Sequence, residues 1–536
     1  MAAIHRNRLG VVTAGSLIEG LTARLESRES VEDMRVGKFV VIQGEKHEFF
    51  SMITDVVLEA TNQKVLIDPP NGDPFVHEVL AGTSTYGTVS LSPRLMLPSD
   101  LEEGLLPVKT VPRHFSPVFE AGEDDFGRVF GSAGGNRFEI GRPLDMDVPV
   151  CLNLDRFVER SNGIFGKSGT GKSFLTRLLL CGCISANVAS NLIFDMHSEY
   201  GWDAHAEERN FVKGLRQLFG SDVLVYTLDP EAGHRRPYDG EVLIGLDQIE
   251  VEDIVTLEQE LNLSSTATES SFLLYDRFKG EWLRRLLEMN GEAIKEFAES
   301  SGAHAGAIGA LKRKLSQIRR LAFVRDTADF SVIDRMIDSL AAGRHVVLEF
   351  GSHNNSLVYM LVANIITRRI HRRWVEQTER YIHSKNTADQ PRQLMITIEE
   401  AHKFLNPHTA RQTIFGTIAR EMRKYSVTLL VVDQRPSSID AEVMSQIGTR
   451  ITALLNDDKD IDAIFTGVSG SSGLKAVLAS LDSRQQALIL GHAVPMPVVV
   501  RTRAYDESFY HAVGRFAEYS PAGRREARTE VDELFG

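Results

Sequence analysis

Short apolar runs punctuated by turn residues fill the N-terminal part of the chain. Arg8–Val12, Lys38–Gln43, Ser51–Glu59, Lys64–Asp68 and Tyr86–Ser92 are rich in Val, Ile, Phe and Thr, and Gly, Asn, Pro and Asp separate them. Short strands with turns this frequent predict a small β-barrel or sandwich over residues 1–110. Pro98, Pro107, Pro112 and Pro117 then mark a linker-like stretch reaching about Asp125, and a linker is expected over residues 111–140.

From Phe138 onward strand-like runs alternate with helical ones, the rhythm of a parallel sheet with crossover helices. The expected strands are Asn162–Phe165, Asn191–Phe194, Val223–Thr227, His345–Phe350, Leu394–Ile398, Thr428–Val432, Arg450–Leu455 and Gln486–Leu490. Several are apolar without alternation, as suits strands covered on both faces. Between them, Leu273, Phe278, Trp282, Leu286 and Leu287 recur at helical spacing, as do Ile308, Leu311, Leu315 and Ile318. The pattern is an α/β core in two parts, 141–245 and 341–500, interrupted by a helical insertion over 246–340. Residues 501–536 are expected to form a short tail packing on a neighbouring surface.

One string inside this core carries chemistry. Gly166-Lys167-Ser168-Gly169-Thr170-Gly171-Lys172-Ser173 fits G-x-x-x-x-G-K-[ST], after the apolar strand ending at Phe165 and before a helix opening at Phe174. Glycines let the backbone curl so that several N–H groups face one anion, and the helix N-terminus adds its positive end. Lys172 is placed to reach the β- and γ-phosphates of ATP, and the Ser173 hydroxyl to bind Mg²⁺. The string thus predicts an ATP site lined by Gly166, Lys167, Ser168, Gly169, Thr170, Gly171, Lys172, Ser173 and Phe174.

A second strand, Leu394–Ile398, ends in Glu399 and Glu400. Beside a phosphate loop, the first such acid serves Mg²⁺ and the second orients the attacking water. Glu399 is assigned to the metal and Glu400 to the water; the alternative is a pair of solvated strand caps. Gln434, just beyond the strand Thr428–Val432, is a candidate γ-phosphate sensor or a turn residue before Pro436. His402 either contacts the end of the acid-tipped strand or sits in the core.

Bulk properties narrow the partners. The chain of 536 residues is 43% hydrophobic with a net charge of −13. A surface coated with DNA-binding charge is excluded, so nucleic acid must meet a local basic groove or pore. Two basic runs are candidates: Lys312, Arg313, Lys314, Arg319 and Arg320, and Arg368, Arg369, Arg372 and Arg373. The alternative for each is a solvated face. No apolar run reaches the ~18 residues that span a bilayer, and no signal peptide is evident. Cys151, Cys181 and Cys183 lack the spacing of a zinc site or disulfide scaffold, and read as buried thiols of a cytoplasmic protein.

Taken in order, the strings resemble the HerA/FtsK superfamily of hexameric DNA translocases, and HerA in particular. Phe194-Asp195-Met196-His197-Ser198-Glu199-Tyr200 resembles D-P-H-G-E-Y. Glu399-Glu400-Ala401-His402 resembles D-E-A-H, Arg420-Glu421-Met422-Arg423-Lys424 resembles R-E-G-R-K, and Gln434-Arg435-Pro436 matches Q-R-P. Met196, Ser198, Met422 and Glu399 depart from the pattern without removing a catalytic group. The resemblance spans about Gly141 to Val500, and the preceding barrel is similar in architecture.

The resemblance implies a RecA-like P-loop core, a homohexameric ring and ATP sites between subunits. It also implies an arginine supplied by the neighbouring subunit, for which Arg160, Arg420 and Arg423 are the candidates. Asp195, His197 and Glu199 either line the nucleotide or a subunit contact, or shape their own loop. The implied activity is ATP-driven translocation on double-stranded DNA, helicase-like, with a NurA-like nuclease or a sirtuin-like or nuclease effector docking on the barrel in DNA end processing or phage defence. Two other activities are carried alongside: an ATP-regulated ring that assembles and activates an effector, and protein unfolding of the AAA type.

Overall fold

The computed structural model describes residues 6–61, 80, 85–98, 104–205, 211–231, 236–329, 331–353, 355–410, 413–468, 472–482 and 485–513. The strand expected at Lys64–Asp68 and the end of the expected tail lie outside the described residues. Two compact units emerge. One comprises Met1–Asn153, Gly166–Gly171 and Thr449–Arg503; the other comprises Leu154–Phe165, Lys172–Gly448 and the chain from Ala504.

In the first unit, seven strands follow one another: β1 (Arg8–Ser16), β2 (Gly20–Leu25), β3 (Phe39–Gln43), β4 (His47–Ala60), β5 (Thr85–Pro98), β6 (Leu106–Pro107) and β7 (Pro117–Glu120). Their order is β2-β1-β7-β3-β4-β5-β6, and an added β2–β5 pairing closes six of them into a barrel. Closure removes the sheet edges that would otherwise invite aggregation. Leu9, Val12, Leu21, Val40, Ile42, Phe49, Ile53 and Val89 fill the interior.

The apolar run in β3 is buried on both faces. Val40 and Ile42 join the barrel core, whereas Phe39 stacks with Phe50 of β4 and meets Phe126 edge-on at 5.3 Å. Phe126 lies on the helix Glu123–Phe130, which covers that outer face. Arg6 anchors this cover, with an ion pair to Asp125 at 2.5 Å and another to Glu48 at 2.6 Å. The stretch expected to be a linker is therefore partly structural. β7 pairs with both β1 and β3, and Pro117 is its first residue, where a missing N–H is tolerated.

The first unit also holds β8 (Arg137–Arg142), β9 (Val150–Asn153) and three late strands, Thr449–Thr452, Gln486–Gly491 and Val498–Thr502. The late strands pair antiparallel with one another, and the last pairs antiparallel with β8. This corrects the expectation that Gln486–Leu490 continues the parallel sheet, since it is antiparallel to both strands it pairs with. It also makes Val498–Thr502 a strand.

The second unit carries the parallel strands β10 (Asn162–Phe165), β11 (Ser190–Asp195), β12 (Val223–Thr227), β13 (Gly240–Glu241), β14 (His345–Glu349), β15 (Leu394–Glu399) and β16 (Val427–Asp433). Their spatial order is β13-β12-β14-β11-β15-β16-β10. Apart from Glu241 and Glu349 at strand ends and Gly240, these strands are buried throughout, as expected when helices cover both faces. Register brings the tips together: Phe165 lies opposite Asp433, Glu399 opposite Val432, and Asp195 opposite Glu349. In open α/β sheets this carboxyl edge is where ligands bind.

Between β13 and β14 the chain is mainly helical, from Val251–Thr256 to Ser331–Ala341. The helix Ser356–Ser384 follows β14, and Asn355 caps it by accepting from the Val358 N–H. Tyr505, Phe509 and Tyr510 of the tail cluster together, and the Tyr505 ring meets Phe174 edge-on. Among the described residues, no helix is long and apolar enough to cross a membrane.

Candidate active site

The loop Gly166–Gly171 is shaped by its glycines. A Cβ on Gly166 would lie 2.7 Å from the Thr170 hydroxyl and 2.9 Å from Ala453 Cβ. Gly171 has φ of 88° with open space around it, a conformation that costs other residues about 1–2 kcal/mol. Thr170 ties the loop to itself, donating from its hydroxyl to the Lys167 carbonyl at 2.7 Å. Lys167, Ser168 and Gly169 are exposed at the tip.

The helix Lys172–Ser185 starts directly after this loop. Burial lowers the Lys172 ammonium pKa, against the pull of Glu400, Asp433, Glu399 and Glu199, in that order of strength. Lys172 therefore sits within the field of acids from three separate segments. Ser173 and Phe174 are half-buried on the first turn. The Arg177 guanidinium, one turn on, lies 5.4 Å from the Phe174 ring centre.

Glu399 and Glu400 have different environments. Glu399 is buried; its Oε1 accepts from the Tyr200 hydroxyl at 2.8 Å, while Oε2 is buried without a hydrogen-bond partner among the described residues. Desolvation, with Asp195 adding repulsion, pushes its carboxyl up to about 8. Tyr359 brackets the same residue, donating from its hydroxyl to the Glu399 carbonyl at 3.2 Å and accepting from the Glu399 N–H at 3.1 Å.

Glu400 is more open and has φ of 48°, unusual for a residue other than glycine. Gln434 donates from Nε2 to Glu400 Oε1 at 3.3 Å. The His402 ring lies 3.7 Å from Glu400 Oε2 and 3.0 Å from Asp433, which also accepts from the His402 N–H at 2.7 Å. The Asp433 hydrogen bond raises the His402 pKa. His402 thus contacts a strand end, that of β16, instead of sitting in the core.

The loop after β11 has a structural explanation. Asp195 is buried and accepts from the Glu199 and Tyr200 N–H groups at 2.8 Å each, and from Gly201 at 3.4 Å. Burial still raises its pKa. Arg177 donates from Nε to the Glu199 carbonyl at 3.0 Å, joining this loop to the helix after the phosphate loop. His197 is exposed and Glu199 half-buried. Sequence reasoning quoted Tyr200 without giving it a role, and passed over Tyr359 and Asp433. Asp433 adjoins Gln434 at the same strand tip, so its position was a usable signal.

The candidate arginines differ. Arg160 Nε and Arg420 Nη1 are buried and without hydrogen-bond partners. Arg423 forms an exposed ion pair with Glu159. The basic runs are engaged within the second unit. Arg368 pairs with Glu250 and, at 2.7 Å, with Asp253; Arg369 pairs with Asp334 at 2.6 Å, Arg372 with Glu250 at 2.7 Å, and Arg373 with Asp338 at 3.5 Å. Lys312 and Lys314 donate to the Met289 and Asn262 carbonyls, and Arg319 pairs with Asp326. Of the two alternatives for these runs, the observed pairings fit faces whose charge is offset within the same unit. Burial pushes Cys151 up to about 11, and Cys181 and Cys183 up to about 12.

A Gly-rich loop that follows a parallel strand and precedes a helix, in a chain whose other parallel strands end in acids, defines a P-loop NTPase; a closed barrel comes before it in the sequence. Residues 138–370 match the family model for the central domain of helicase HerA, and residues 9–91 match the HAS barrel domain. The chain is 25% identical over 511 residues to a DNA double-strand break repair helicase HerA of Sulfolobus acidocaldarius, covering 93% of each chain. It is 22% identical over 442 residues to that of Pyrococcus furiosus, covering 75% of each. Among solved structures, VirB4 of Thermoanaerobacter pseudethanolicus aligns with a TM-score of 0.44 and 15% identity, over 70% of this chain and 99% of that one. The chain is similar to the HerA-type ATPases along its barrel and its central part.

Proposed function

We propose that this chain hydrolyses ATP with Mg²⁺ and couples hydrolysis to movement along double-stranded DNA, as a ring of six identical subunits. The observation that carries this is the setting of Lys172, a half-buried cation facing Glu400, Asp433 and Glu399 at the carboxyl edge of the parallel strands. Lys172 and the backbone of Gly166–Ser173 hold the phosphates. Glu400, held by Gln434, accepts a proton from the attacking water. Gln434 also reports on the γ-phosphate.

Ser173 and Glu399 hold the divalent ion, which neutralises developing charge on the phosphates. The unpartnered buried Oε2 of Glu399 fits that task. Among the described residues, no three His, Cys, Asp or Glu side chains cluster as a metal site. Mg²⁺ takes few protein ligands beside substrate phosphates and water. Arg160 or Arg420 reaches the neighbouring subunit's nucleotide; each has a buried guanidinium nitrogen without a hydrogen-bond partner among the described residues.

Similarity to helicases named for double-strand break repair supports a role on DNA ends. A NurA-like nuclease, or a sirtuin-like or nuclease effector in phage defence, docks on the barrel. Buried thiols suit a cytoplasmic setting. One observation favours the second reading, an ATP-regulated ring that assembles and activates an effector: the arginines of the Ser356–Ser384 helix are engaged in ion pairs. Phosphate release with and without linear double-stranded DNA at low salt separates the two. Stimulation by DNA, lost in Lys172→Ala, supports the motor. Unstimulated release, with a bound effector still active in Lys172→Ala, supports the scaffold.

A further inference from the structure

Tyr200 lies at the junction of three elements. Its backbone N–H is held by Asp195 at the tip of β11, at 2.8 Å. The preceding carbonyl, that of Glu199, accepts from Arg177 on the helix that begins with Lys172 and Ser173. Its hydroxyl donates to Glu399 Oε1 on β15 at 2.8 Å. Tyr200 and Arg177 are both buried, and the Arg177 guanidinium lies 5.9 Å from the tyrosine ring centre.

Glu399 is consequently fixed at both ends. Tyr359 clamps its backbone, and Tyr200 holds one carboxylate oxygen. The second oxygen has no hydrogen-bond partner among the described residues. A buried carboxylate oxygen left unpaired costs roughly 1–3 kcal/mol or more, so it is retained against a stability penalty. The tyrosine hydroxyl donates to one oxygen and so fixes the carboxyl rotamer that places the other.

We propose that Tyr200 is a positioning residue for the divalent ion, holding Glu399 Oε1 so that Oε2 alone is free for the ion or its bound water. This rests on the reading of Glu399 as the metal-serving acid. Arg177, on the Ser173-bearing helix, bonds the Glu199 carbonyl next to Tyr200, so that helix and β15 are linked through the loop that carries the tyrosine. Outer-shell partners of metal ligands typically contribute 10–100-fold in metal affinity.

The test uses the full chain with a nonhydrolysable ATP analogue and Mn²⁺ as the probe, followed by electron paramagnetic resonance. Tyr200→Phe keeps the ring and removes the hydroxyl. The expected result is Mn²⁺ binding weakened by about 10-fold or more, with metal-free nucleotide affinity unchanged and kcat largely recovered at saturating Mg²⁺. Glu399→Gln is measured beside it and is expected to weaken Mn²⁺ at least as much. Tyr359→Phe, which loses only contacts to the Glu399 backbone, is expected to have the smaller effect, and remains informative if Tyr200→Phe does not fold. Wild-type Mn²⁺ affinity in a folded Tyr200→Phe variant, with Glu399→Gln weakened, overturns the role of Tyr200 alone. The same holds if Tyr359→Phe weakens Mn²⁺ as much as Glu399→Gln. Unchanged affinity in Glu399→Gln overturns the metal reading beneath it as well.

Discussion

Gln434 Nε2 lies 3.3 Å from Glu400 Oε1, a hydrogen bond between the tips of neighbouring parallel strands. It holds a carboxylate whose own backbone is strained, at φ of 48°. Strain of this kind persists where the surroundings over-determine it, often at active sites. Glu400→Gly is therefore expected to raise stability by up to about 1 kcal/mol, because glycine adopts this conformation without steric cost. The same variant is expected to lose turnover. Urea denaturation and phosphate release on one preparation check both halves. A stability decrease would show that the Gln434 contact outweighs the strain.

The Ser356–Ser384 helix carries two kinds of arginine. Arg368 meets Asp253, whose side chain is fully buried and also accepts from Asn364 at 2.7 Å. Arg368→Ala leaves a buried acid short of its cation and is expected to cost about 3–5 kcal/mol. Arg373 and Asp338 are both exposed, so Arg373→Ala is expected to cost under about 1 kcal/mol. If Arg373 held a DNA phosphate, its removal would lower the salt dependence of DNA binding by about one unit of slope. An unchanged slope is expected.

Glu349 ends β14 beside Asp195, with Oε1 buried and unpartnered. Desolvation first, and Asp195 second, raise its pKa from 4.5 to about 7. The folded state thus keeps a proton that the unfolded state releases above pH 4.5. Stability contributed by protonated Glu349 is complete below that value and is lost as pH rises through about 7. The loss is on the order of 3 kcal/mol. Glu349→Gln should flatten this segment of the stability profile, gaining on the wild type at pH 8 but not at pH 4. Parallel urea curves at the two pH values measure it, and an equal offset at both contradicts the assignment.

What could be read from the sequence follows a physical division. The phosphate loop was legible because its function needs contiguous residues, and the strands before Glu399 and Gln434 because unbroken apolar runs imply burial on both faces. Strand direction was not, since an apolar run has the same composition parallel or antiparallel. Gln486–Gly491 therefore reads as a member of the parallel array although it is antiparallel to both strands it pairs with. β7 was hidden by its leading proline. The Tyr200–Glu399 contact joins residues 199 positions apart, and Arg372–Glu250 joins residues 122 apart. Neither spacing leaves a periodic trace, so one group's role went unassigned and a paired basic run looked free for DNA.

The central claim is that Glu400 turns over a nucleotide held by Lys172. It is tested most directly by phosphate release from Glu400→Gln in the presence of linear double-stranded DNA, with nucleotide binding measured in the same samples. The account predicts wild-type-like ATP binding with turnover reduced by about 100-fold or more. Turnover within a few-fold of the wild type would contradict it.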